Sequence, residues 1–355
     1  MSSNIDYSRL LDRFSRQILV PEIGIKGLER LRNTRIAVVG CGATGTFISE
    51  YLVRMGVGYL RVIDGDFIEE SNLTRVLLFT EDDVFTPKAS TCRKHLESIS
   101  SFTKIDALID RLRPSNVEKL LSNVELIVDA SDNIETRFLI NDFSIKYKIP
   151  WIYVGVERWY GMVVPVLPGE TPCLCCILGR KWIERVRRGV RDRGDRCNIL
   201  GVTITAVALT SAVATNYVYK ILSGDKLEPQ VVVINAFSNE IEKVHVKKLE
   251  DCECCVRNNY VYLGRREELV VEVCGSNQVE VKPPKKIIID LNMLTNSREL
   301  KVLKTTREVA VVDFSGYRLA VFNDGRVIVM NETDLEKAKS LYDKFMEYIK
   351  YAIIE

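Results

Sequence analysis

One stretch near the N-terminus decides the fold class, and it reads Arg35-Ile36-Ala37-Val38-Val39-Gly40-Cys41-Gly42-Ala43-Thr44-Gly45. Its apolar first half predicts a short buried strand, and its second half has the G-x-G-x-x-G spacing of a tight turn into a helix. We predict that this helix continues to about Met55 and that a second strand spans Tyr59–Ile63. These elements form a βαβ unit with parallel strands. The sequence therefore predicts an α/β fold with a Rossmann-like, mostly parallel sheet and flanking helices.

The segments around this unit predict further elements of the same fold. Residues 5–33 carry apolar side chains along one helical face, and brief apolar runs at Leu126–Val128 and Trp151–Val154 predict two more strands. The apolar stretch from Ile199 to Leu222 is interrupted by several threonines and a serine. We therefore interpret it as a buried helix and not as a membrane span.

Residues 256–355 are predicted to form a small α+β domain that follows a first domain at residues 1–255. Asn323-Asp324-Gly325 is a strong hairpin signal between two apolar runs. The last helix is predicted to start with a capping box formed by Thr333 and Glu336. The strands predicted here are Val309–Asp313, Tyr317–Phe322 and Arg326–Met330.

Composition excludes several classes of protein. The 355 residues carry 50 Lys+Arg and 48 Asp+Glu, a net charge of +2, which argues against nucleic acid as the main partner. With only two histidines a His-rich metal site is excluded, and most of the ten cysteines are clustered, unlike those of a secreted disulfide scaffold. The N-terminus has no apolar segment typical of a signal peptide. We therefore expect a cytoplasmic protein with no membrane partner.

Polar residues beyond the glycine loop favour a nucleotide site. The N–H groups at the start of a helix suit phosphate, and Asp64, 19 residues after the last loop glycine, is placed to hold ribose hydroxyls. Asn72, Arg75 and Lys88 follow in series, which a dehydrogenase does not need but a site that stabilises charge on phosphorus does. Asp132 follows a predicted strand, where a carboxylate suits Mg²⁺. A Walker-type loop, G-x-x-x-x-G-K-[ST], does not occur in the sequence.

In this order and spacing the motifs resemble those of the HesA/MoeB/ThiF superfamily, the ubiquitin-activating-type adenylating enzymes. The resemblance covers roughly residues 7–255. It implies an enzyme that uses ATP and Mg²⁺ to adenylate the C-terminal glycine of a ubiquitin-like or sulfur-carrier protein ending in Gly-Gly. The motifs that carry it are Ser15-Arg16-Gln17, the glycine loop, Asp64-Gly65-Asp66, Ser71-Asn72-Leu73 with Arg75, Pro87-Lys88, Asp132-Asn133 with Thr136-Arg137, and two C-x-x-C pairs.

The resemblance also implies roles for individual residues. Arg75 and Lys88 would offset charge on the phosphates, and Asp132 would hold Mg²⁺. Arg16 would reach from one protomer of a homodimer into the active site of the other, like an arginine finger. The attacking carboxylate is already ionised, so no general base is required. The implied nucleotide contacts are Gly40, Gly42, Ala43, Gly45, Asp64, Ser71, Asn72, Arg75, Lys88, Asp132 and Asn133.

Two positions depart from the family pattern. Val76 stands where the family usually has a glutamine after S-N-L-x-R, and Ala43-Thr44 stands where many members have Gly-Leu. Neither departure removes a charged group from the site. We therefore expect the chemistry to be retained and only the fine positioning of the nucleotide to differ.

Six cysteines form two clusters, at Cys173–Cys176 and at Cys252–Cys255. Each cluster holds a C-x-x-C pair, which is the spacing of tetrahedral zinc sites. The resemblance implies a structural zinc bound by Cys173, Cys176, Cys252 and Cys255, which would join the end of the first domain to its middle. Cys175 and Cys254 leave the choice of ligands open, and disulfides or simple packing are the alternatives.

Cys197 lies where the family carries its active cysteine. Arg193, Arg196 and the start of the following helix favour a thiolate. We predict that Cys197 attacks the acyl-adenylate to form a thioester, or takes part in persulfide exchange. The segment from Arg180 to Arg196 holds eight basic and three acidic residues, and it is either a solvated surface or a loop that steers an acidic ubiquitin-like partner.

Three alternatives stay open at the level of sequence. One is a non-catalytic subunit of a heterodimeric activating enzyme. Another is a relative that activates a modified adenosine of tRNA, which the modest net charge disfavours. The third is an NAD-dependent oxidoreductase, which Arg75, Lys88 and the paired cysteines oppose. The sequence also leaves open whether the activated carrier reacts with a sulfur donor or passes to a conjugating enzyme.

Overall fold

The structure of the chain, a computed structural model, describes residues 7–179, 201–265, 269–273, 277–285, 287–295, 297 and 300–354. These residues contain an eight-stranded sheet followed by a six-stranded one. The strands of the first sheet are β1 (Arg35–Val39), β2 (Tyr59–Ile63), β3 (Lys104–Leu108), β4 (Leu126–Asp129), β5 (Trp151–Glu157), β6 (Tyr160–Val166), β7 (Gln230–Asn235) and β8 (Glu240–His245).

The first sheet is parallel where the glycine loop lies and antiparallel at its far edge. Its strand order is β3-β2-β1-β4-β5-β6-β7-β8. Neighbours from β3 to β5 pair in parallel, and β6, β7 and β8 continue the sheet with antiparallel pairs. The predicted α/β fold with a mostly parallel sheet is therefore confirmed. Because β1, β2 and β4 are parallel neighbours, their carboxyl ends meet at one edge.

Helices cover both faces of this sheet. They are α1 (Tyr7–Arg13), α2 (Ser15–Ile18), α3 (Gly24–Asn33), α4 (Ala43–Met55), α5 (Lys88–Ile99), α6 (Val117–Leu120), α7 (Ile134–Tyr147) and α8 (Ile204–Ser223). On one face α4, α5 and α8 bury side chains such as Leu52, Leu96 and Val218 against β1 and β2. On the other face α6 and α7 pack with the cysteine segments, where Phe138 and Cys173 are buried together.

Two helical predictions need correction at their ends. The single helix predicted over residues 5–33 is three helices where it is described, with breaks at Phe14 and at residues 19–23. Pro21 explains the longer break, because proline lacks a backbone N–H and its ring clashes with the preceding turn. The helix predicted over residues 199–222 begins at Ile204, capped by Thr203. Within the described ranges, no helix combines the length and the hydropathy that a membrane crossing requires.

The second sheet is antiparallel and lies in the C-terminal part of the chain. Its strands are β9 (Val270–Val273), β10 (Gln278–Val281), β11 (Lys301–Thr305), β12 (Val309–Phe314), β13 (Tyr317–Phe322) and β14 (Val327–Met330), in the order β11-β12-β13-β14-β10-β9. Helices α9 (Leu291–Leu294) and α10 (Leu335–Tyr348) pack against one face. The predicted hairpin at Asn323-Asp324-Gly325 is confirmed, since it joins β13 to β14.

The capping box predicted for the last helix is wrong. Asp334 caps α10, and its carboxylate accepts hydrogen bonds from the backbone N–H groups of Glu336 and Lys337. The backbone N–H of Thr333 instead donates to Glu332. Aspartate is as effective a cap as threonine, so the residue nearer to the helix takes the position.

The segment after Cys255 continues to pack against the first core. Tyr262 stacks on Phe138 with ring centroids 4.7 Å apart, and its backbone N–H donates to Asp142. Leu263 belongs to the same apolar cluster. Packing with the first sheet thus extends several residues past the boundary between residues 1–255 and 256–355, and that division stays a prediction.

Candidate functional site

The glycine loop lies between β1 and α4, at the carboxyl edge of the parallel strands. Gly40 has φ of +93°, and a Cβ there would lie 2.6 Å from the carbonyl oxygen of Ala130. A Cβ on Gly45 would lie 2.0 Å from the carbonyl oxygen of Gly40. Gly42 faces open space, and α4 begins at Ala43 with no side chain capping it. The first amides of α4 are therefore open to an anion.

Asp64 is fixed beside the glycine loop by two backbone hydrogen bonds. Its Oδ2 accepts from the N–H of Cys41 at 2.7 Å, and its Oδ1 accepts from the N–H of Asp66 at 2.8 Å. Each carboxylate oxygen can accept a second hydrogen bond. The side chain predicted to hold ribose hydroxyls is thus oriented by the same loop that is predicted to hold phosphate.

Lys88 forms a nearly buried ion pair at this edge of the sheet. It is the first residue of α5, and its Nζ lies 2.6 Å from Oδ2 of Asp66, with side chains only 12% and 16% exposed. Burial alone would lower the pKa of Lys88, but the carboxylates of Asp66 and Asp64 outweigh it and raise that pKa above its usual value. Lys88 is therefore charged and held in one position.

The turn that carries Ser71 and Asn72 is the short 3₁₀ helix Glu70–Asn72. The amide oxygen of Asn72 accepts from the N–H of Glu69 at 3.1 Å, and the Glu69 carboxylate caps the turn in return. The guanidinium of Arg75 donates to the carbonyl oxygen of Ser71 at 2.7 Å. Asn72 is buried and shapes the turn, while Ser71 is exposed on its surface.

Asp129 is the fully buried last residue of β4. Its Oδ1 accepts from the N–H and the hydroxyl of Ser131. Burial raises the pKa of Asp129 to about 6, and Arg137, whose Nε lies 3.8 Å from Oδ2, offsets only part of that effect. Arg137 also donates to the hydroxyl of Tyr153 at 2.6 Å. The final arginine of the D-N-x-x-T-R motif therefore stabilises the strand end.

Asp132 and Asn133 lie between β4 and α7. Asn133 caps α7 by accepting from the N–H groups of Glu135 and Thr136 at 2.8 and 3.1 Å. Asp132 is exposed, and its carboxylate lies close enough to Lys88 to raise the pKa of that lysine. Asn133 therefore caps the helix, while the carboxylate of the preceding residue, Asp132, lies near Lys88.

Arg16 lies away from the glycine loop of its own chain. It is exposed on α2, and its neighbour Gln17 donates to the carbonyl oxygen of Met55 at 2.7 Å. Met55 is the last residue of α4, whose 13 residues begin at the glycine loop. At 1.5 Å per residue, this contact is about 20 Å from the loop. Of the residues predicted to contact the nucleotide, the structure brings Asp64, Lys88 and Asp132 near one another, and it leaves Arg16 apart.

The two C-x-x-C pairs meet, although they are 79 residues apart in the chain. The Sγ–Sγ distances are 3.9 Å for Cys173–Cys176, 3.6 Å for Cys173–Cys252 and 3.5 Å for Cys176–Cys255. These four are free thiols and not disulfides. Four zinc–sulfur bonds of about 2.3 Å in a tetrahedron place sulfurs about 3.8 Å apart. The donor set therefore fits a tetrahedral metal ion.

Cys175 and Cys254 have partners on α7. The amide nitrogen of Asn141 donates to Sγ of Cys254 at 3.2 Å and to Sγ of Cys175 at 3.7 Å. The thiol of Cys254 donates to Oδ1 of Asp142 at 3.3 Å. Their sulfurs also lie within 4.8 Å of Cys173, so a three-cysteine group exists beside the four-cysteine one. The contacts with α7 favour the four-cysteine group as the metal ligands.

Cys197 and the basic segment of residues 180–196 lie outside the described residues, and the predicted nucleophile stays a prediction. The described chain resumes at Gly201, whose carbonyl oxygen accepts from the N–H of Arg158 at 2.7 Å. Thr203 then caps α8. Residues 201–203 therefore lie next to the turn between β5 and β6.

Two residues that contact the predicted site residues or the cysteine clusters, Asp66 and Asn141, were not among the site residues predicted from the sequence. Asp66 pairs with Lys88, and the D-x-D run was its signal. Asn141 contacts two cysteines from within α7, where no motif indicates it. Val76, which replaces the usual glutamine, is buried in the core on the α4 face. At this position an apolar side chain packed in the core therefore replaces the glutamine amide that the family usually has.

Comparisons with known proteins agree with this geometry. A model described as the ThiF family matches residues 14–256. The chain is 32% identical over 341 residues to the sulfur carrier protein ThiS adenylyltransferase of Bacillus subtilis, covering 94% of this chain and 99% of that protein. It is 31% identical over 260 residues to the SAMP-activating enzyme E1 of Haloferax volcanii, covering 72% of this chain and 92% of that protein.

Solved structures show the same fold at lower identity. E. coli MccB, solved with ATP, superposes with a TM-score of 0.57 at 22% identity, over 69% of this chain and 74% of that chain. PaaA gives a TM-score of 0.57 at 22% identity, over 69% of this chain and 86% of that chain. These likenesses support the architecture of the first sheet and its helices.

Proposed function

Because the chain belongs to the ThiF family, we propose that it is an ATP-dependent adenylyltransferase that activates the C-terminal glycine of a ubiquitin-like sulfur-carrier protein and then passes it to a thiol. One observation carries this proposal. The uncapped start of α4, the fixed carboxylate of Asp64 and the nearly buried Lys88 all lie at the same edge of the sheet. Relatives named as adenylyltransferases or activating enzymes support it and leave the oxidoreductase alternative without support.

The adenylation step requires stabilisation of charge more than movement of protons. An oxygen of the carrier's terminal carboxylate attacks the α-phosphorus of ATP, a phosphorus–oxygen bond forms, and the bond to pyrophosphate breaks. Negative charge grows on the phosphate oxygens and on the leaving pyrophosphate. Lys88 and Arg75 offset that charge, the amides at the start of α4 hold a phosphate, and Asp64 orients the ribose. The carboxylate is already ionised, so no general base is assigned.

We propose that Asp132 holds Mg²⁺. Its carboxylate is exposed beside Lys88, at the carboxyl edge of the sheet. Mg²⁺ in such sites is usually bound by one or two carboxylates together with phosphate oxygens, so this donor fits. When bound, the ion would supply positive charge to the phosphates.

We propose that Cys173, Cys176, Cys252 and Cys255 bind a structural zinc. Their sulfur–sulfur distances of 3.5 to 3.9 Å support a tetrahedral ion. The two pairs belong to segments that both pack on α7 in the core of the first sheet. A zinc ion there would cross-link the two segments and stabilise the fold.

We propose that the protein acts as a homodimer in which Arg16 enters the partner's nucleotide site. Arg16 is about 20 Å from its own glycine loop, judged from the length of α4. Leu19, Val20 and Ile25 are exposed apolar side chains close to it in sequence. Apolar groups next to a charged residue that lies apart from the glycine loop of its own chain fit a protomer interface.

We propose that Cys197 receives the activated carrier as a thioester or takes part in persulfide exchange. The thiol would attack the carbonyl carbon of the acyl-adenylate and release AMP. A sulfur donor or a conjugating enzyme would act next. In the same proposal, residues 256–355 form a separate domain that holds the six-stranded sheet, and the protein acts in the cytoplasm.

The proposal is tested by pyrophosphate exchange into ATP. Purified full-length chain is incubated with MgATP, labelled pyrophosphate and a ubiquitin-like carrier ending in Gly-Gly. We expect exchange with that carrier and none with the same carrier lacking its last glycine. Exchange that is absent with every sulfur carrier tested, or equal with the truncated one, would contradict the proposal.

A further inference from the structure

The C-terminal sheet contacts the loops of the nucleotide site through a buried group of charges. Glu280, on β10, is fully buried, and its Oε2 lies 2.8 Å from Nε of Arg111. Its Oε1 lies 3.3 Å from Nη2 of Arg113. Arg326, just after the hairpin turn, donates from Nη1 to the carbonyl oxygen of Gly65 at 3.2 Å. One carboxylate of the second sheet therefore holds arginines that belong to the first part of the chain.

Arg111 connects this group to the nucleotide residues. It lies over Gly65, because a Cβ added to that glycine would be 2.7 Å from Cγ of Arg111. Gly65 separates Asp64 from Asp66, the carboxylate that pairs with Lys88. Burial would raise the pKa of Asp66, but the charges of Lys88 and Arg111 lower it. Arg111 therefore acts on the same carboxylate that positions the lysine.

Two further contacts fasten the second sheet to the same loop. Gln278, on β10, donates to the carboxylate of Glu69 at 2.7 Å, and Glu69 caps the turn that ends in Asn72. Lys304, on β11, donates from Nζ to the carbonyl oxygens of Asp82 and Val84 at 2.6 and 2.8 Å. All of these partners lie between β2 and α5, in the segment that leads to Lys88.

From these contacts, and resting on the adenylation function proposed above, we propose that the C-terminal sheet completes the nucleotide site. In this arrangement Glu280 is a positioning residue that holds Arg111 against Gly65. Without the charge of Glu280, Arg111 would turn toward Asp66, the carboxylate whose charge acts on it most strongly after Glu280. It would then compete with Lys88 for that partner and displace the lysine from the phosphates.

The test is calorimetric titration of the full-length chain with MgATP, which reports the dissociation constant and the number of sites per chain. The wild type is compared with Glu280→Gln and with the double variant Arg111→Gln, Glu280→Gln. The control is Asp343→Asn, which removes an exposed charge from α10 in the same part of the chain. The double variant removes both charges of the closest pair. Arg113 and Arg326, which also face Glu280, keep Asp110 and Asp324 as partners, so folding is protected.

We expect the dissociation constant for MgATP to rise about tenfold in Glu280→Gln and to return close to the wild-type value in the double variant, which lacks the competing arginine. The number of sites per chain should be unchanged, and Asp343→Asn should match the wild type. A merely structural role of Glu280 predicts fewer sites at an unchanged dissociation constant, and an effect that does not pass through Arg111 predicts a double variant that binds as weakly as Glu280→Gln. Either result, or wild-type affinity in Glu280→Gln, overturns the inference while the proposed function stands. A wild-type chain that does not bind MgATP overturns the proposed function and this inference with it.

Discussion

The proposed nucleotide site and the cysteine cluster are held together by different forces. At the nucleotide site each carboxylate already has a protein partner, as in the 2.6 Å pair of Asp66 with Lys88 and the bond from Cys41 N–H to Asp64. At the cysteine cluster, four sulfurs from two segments face one another at 3.5 to 3.9 Å. Thiolates at such distances repel one another unless a cation lies between them.

Because of this difference, substitutions at the two sites should have different consequences, one for activity and the other for stability. The nucleotide site is preorganised by the chain itself, so a change there should affect catalysis and leave the fold largely intact. The cysteine cluster depends on the proposed zinc, so a change there should affect the fold first. The following variants test that separation.

The largest expected effect is the loss of a zinc ligand. Cys255→Ala should destabilise the chain by more than about 4 kcal/mol, because structural zinc contributes about 10 kcal/mol or more to the folding of zinc-finger peptides. Cys254→Ala, at the adjacent residue, should keep the metal and cost only about 1–2 kcal/mol. Elemental analysis and urea unfolding measure both quantities. Equal zinc loss in the two variants would show that the four-cysteine set is wrong.

Loss of the lysine at the nucleotide site should have the next largest effect. Lys88→Met should lower kcat/KM for pyrophosphate exchange about 10²–10³-fold, because it removes a preorganised charge from the transition state. The unfolding midpoint should change little, since Asp66 retains the nearby charge of Arg111. Lys94→Met, an exposed lysine on the same helix, is the matched control. Unchanged exchange with a large drop in stability would assign Lys88 to the fold instead.

A third effect concerns pH and the buried Asp129. Its pKa is about 6 in the folded chain and about 3.9 when unfolded, so the folded state binds the proton more tightly. The stability it contributes is present below pH 4 and is lost as the pH rises through 6, up to about 3 kcal/mol at 1.4 kcal/mol per pKa unit. Asp129→Asn should remove that part of the pH dependence. Urea unfolding between pH 4 and 7.5 gives the free energy of unfolding against pH for the wild type and for Asp129→Asn. Parallel curves for the two proteins would contradict the raised pKa of Asp129.

The smallest effect is expected beside the zinc ligands. Asn141→Ala removes the amide that donates to Cys254 and Cys175. These two sulfurs are not the proposed ligands but are adjacent in sequence to Cys176 and Cys255, so Asn141 positions the segments that carry ligands. We therefore expect zinc affinity to fall at most about tenfold, or about 1.4 kcal/mol, the low end for outer-shell partners. Competition with a zinc chelator measures the change. An unchanged affinity would mean that the contacts of α7 with these sulfurs serve packing alone.

Sequence predicted the parts of the fold that contiguous motifs encode. The strand Tyr59–Ile63 and the hairpin at Asn323–Gly325 match their predicted positions, because glycine and turn residues mark their ends directly. The N-terminal helix was predicted too long because its apolar face continues across Pro21. The cap of the last helix was displaced by one residue because Thr333 and Asp334 are both good caps, and the sequence pattern does not distinguish between them.

The nucleotide motif was predictable for a similar reason, whereas the side-chain pairs around it were not. Asp64 directly follows β2, Asn72 ends the short 3₁₀ helix and Lys88 begins α5, and local patterns reveal these positions. Glu280 meets Arg111 across 169 residues, and Asn141 meets Cys254 across 113. Such pairs are set by how two sheets or two distant segments pack, which neither residue spacing nor hydrophobic periodicity encodes.

The central claim is that the chain forms an adenylate on a carrier protein. It is tested most directly by the intact mass of a Gly-Gly carrier after incubation with the full-length chain and MgATP, denatured at once to keep the adduct. We predict a carrier whose mass is increased by one AMP group, and this adduct should form far more slowly when Lys88→Met replaces the wild type. A carrier of unchanged mass at every time point, with ATP left intact, would contradict the account.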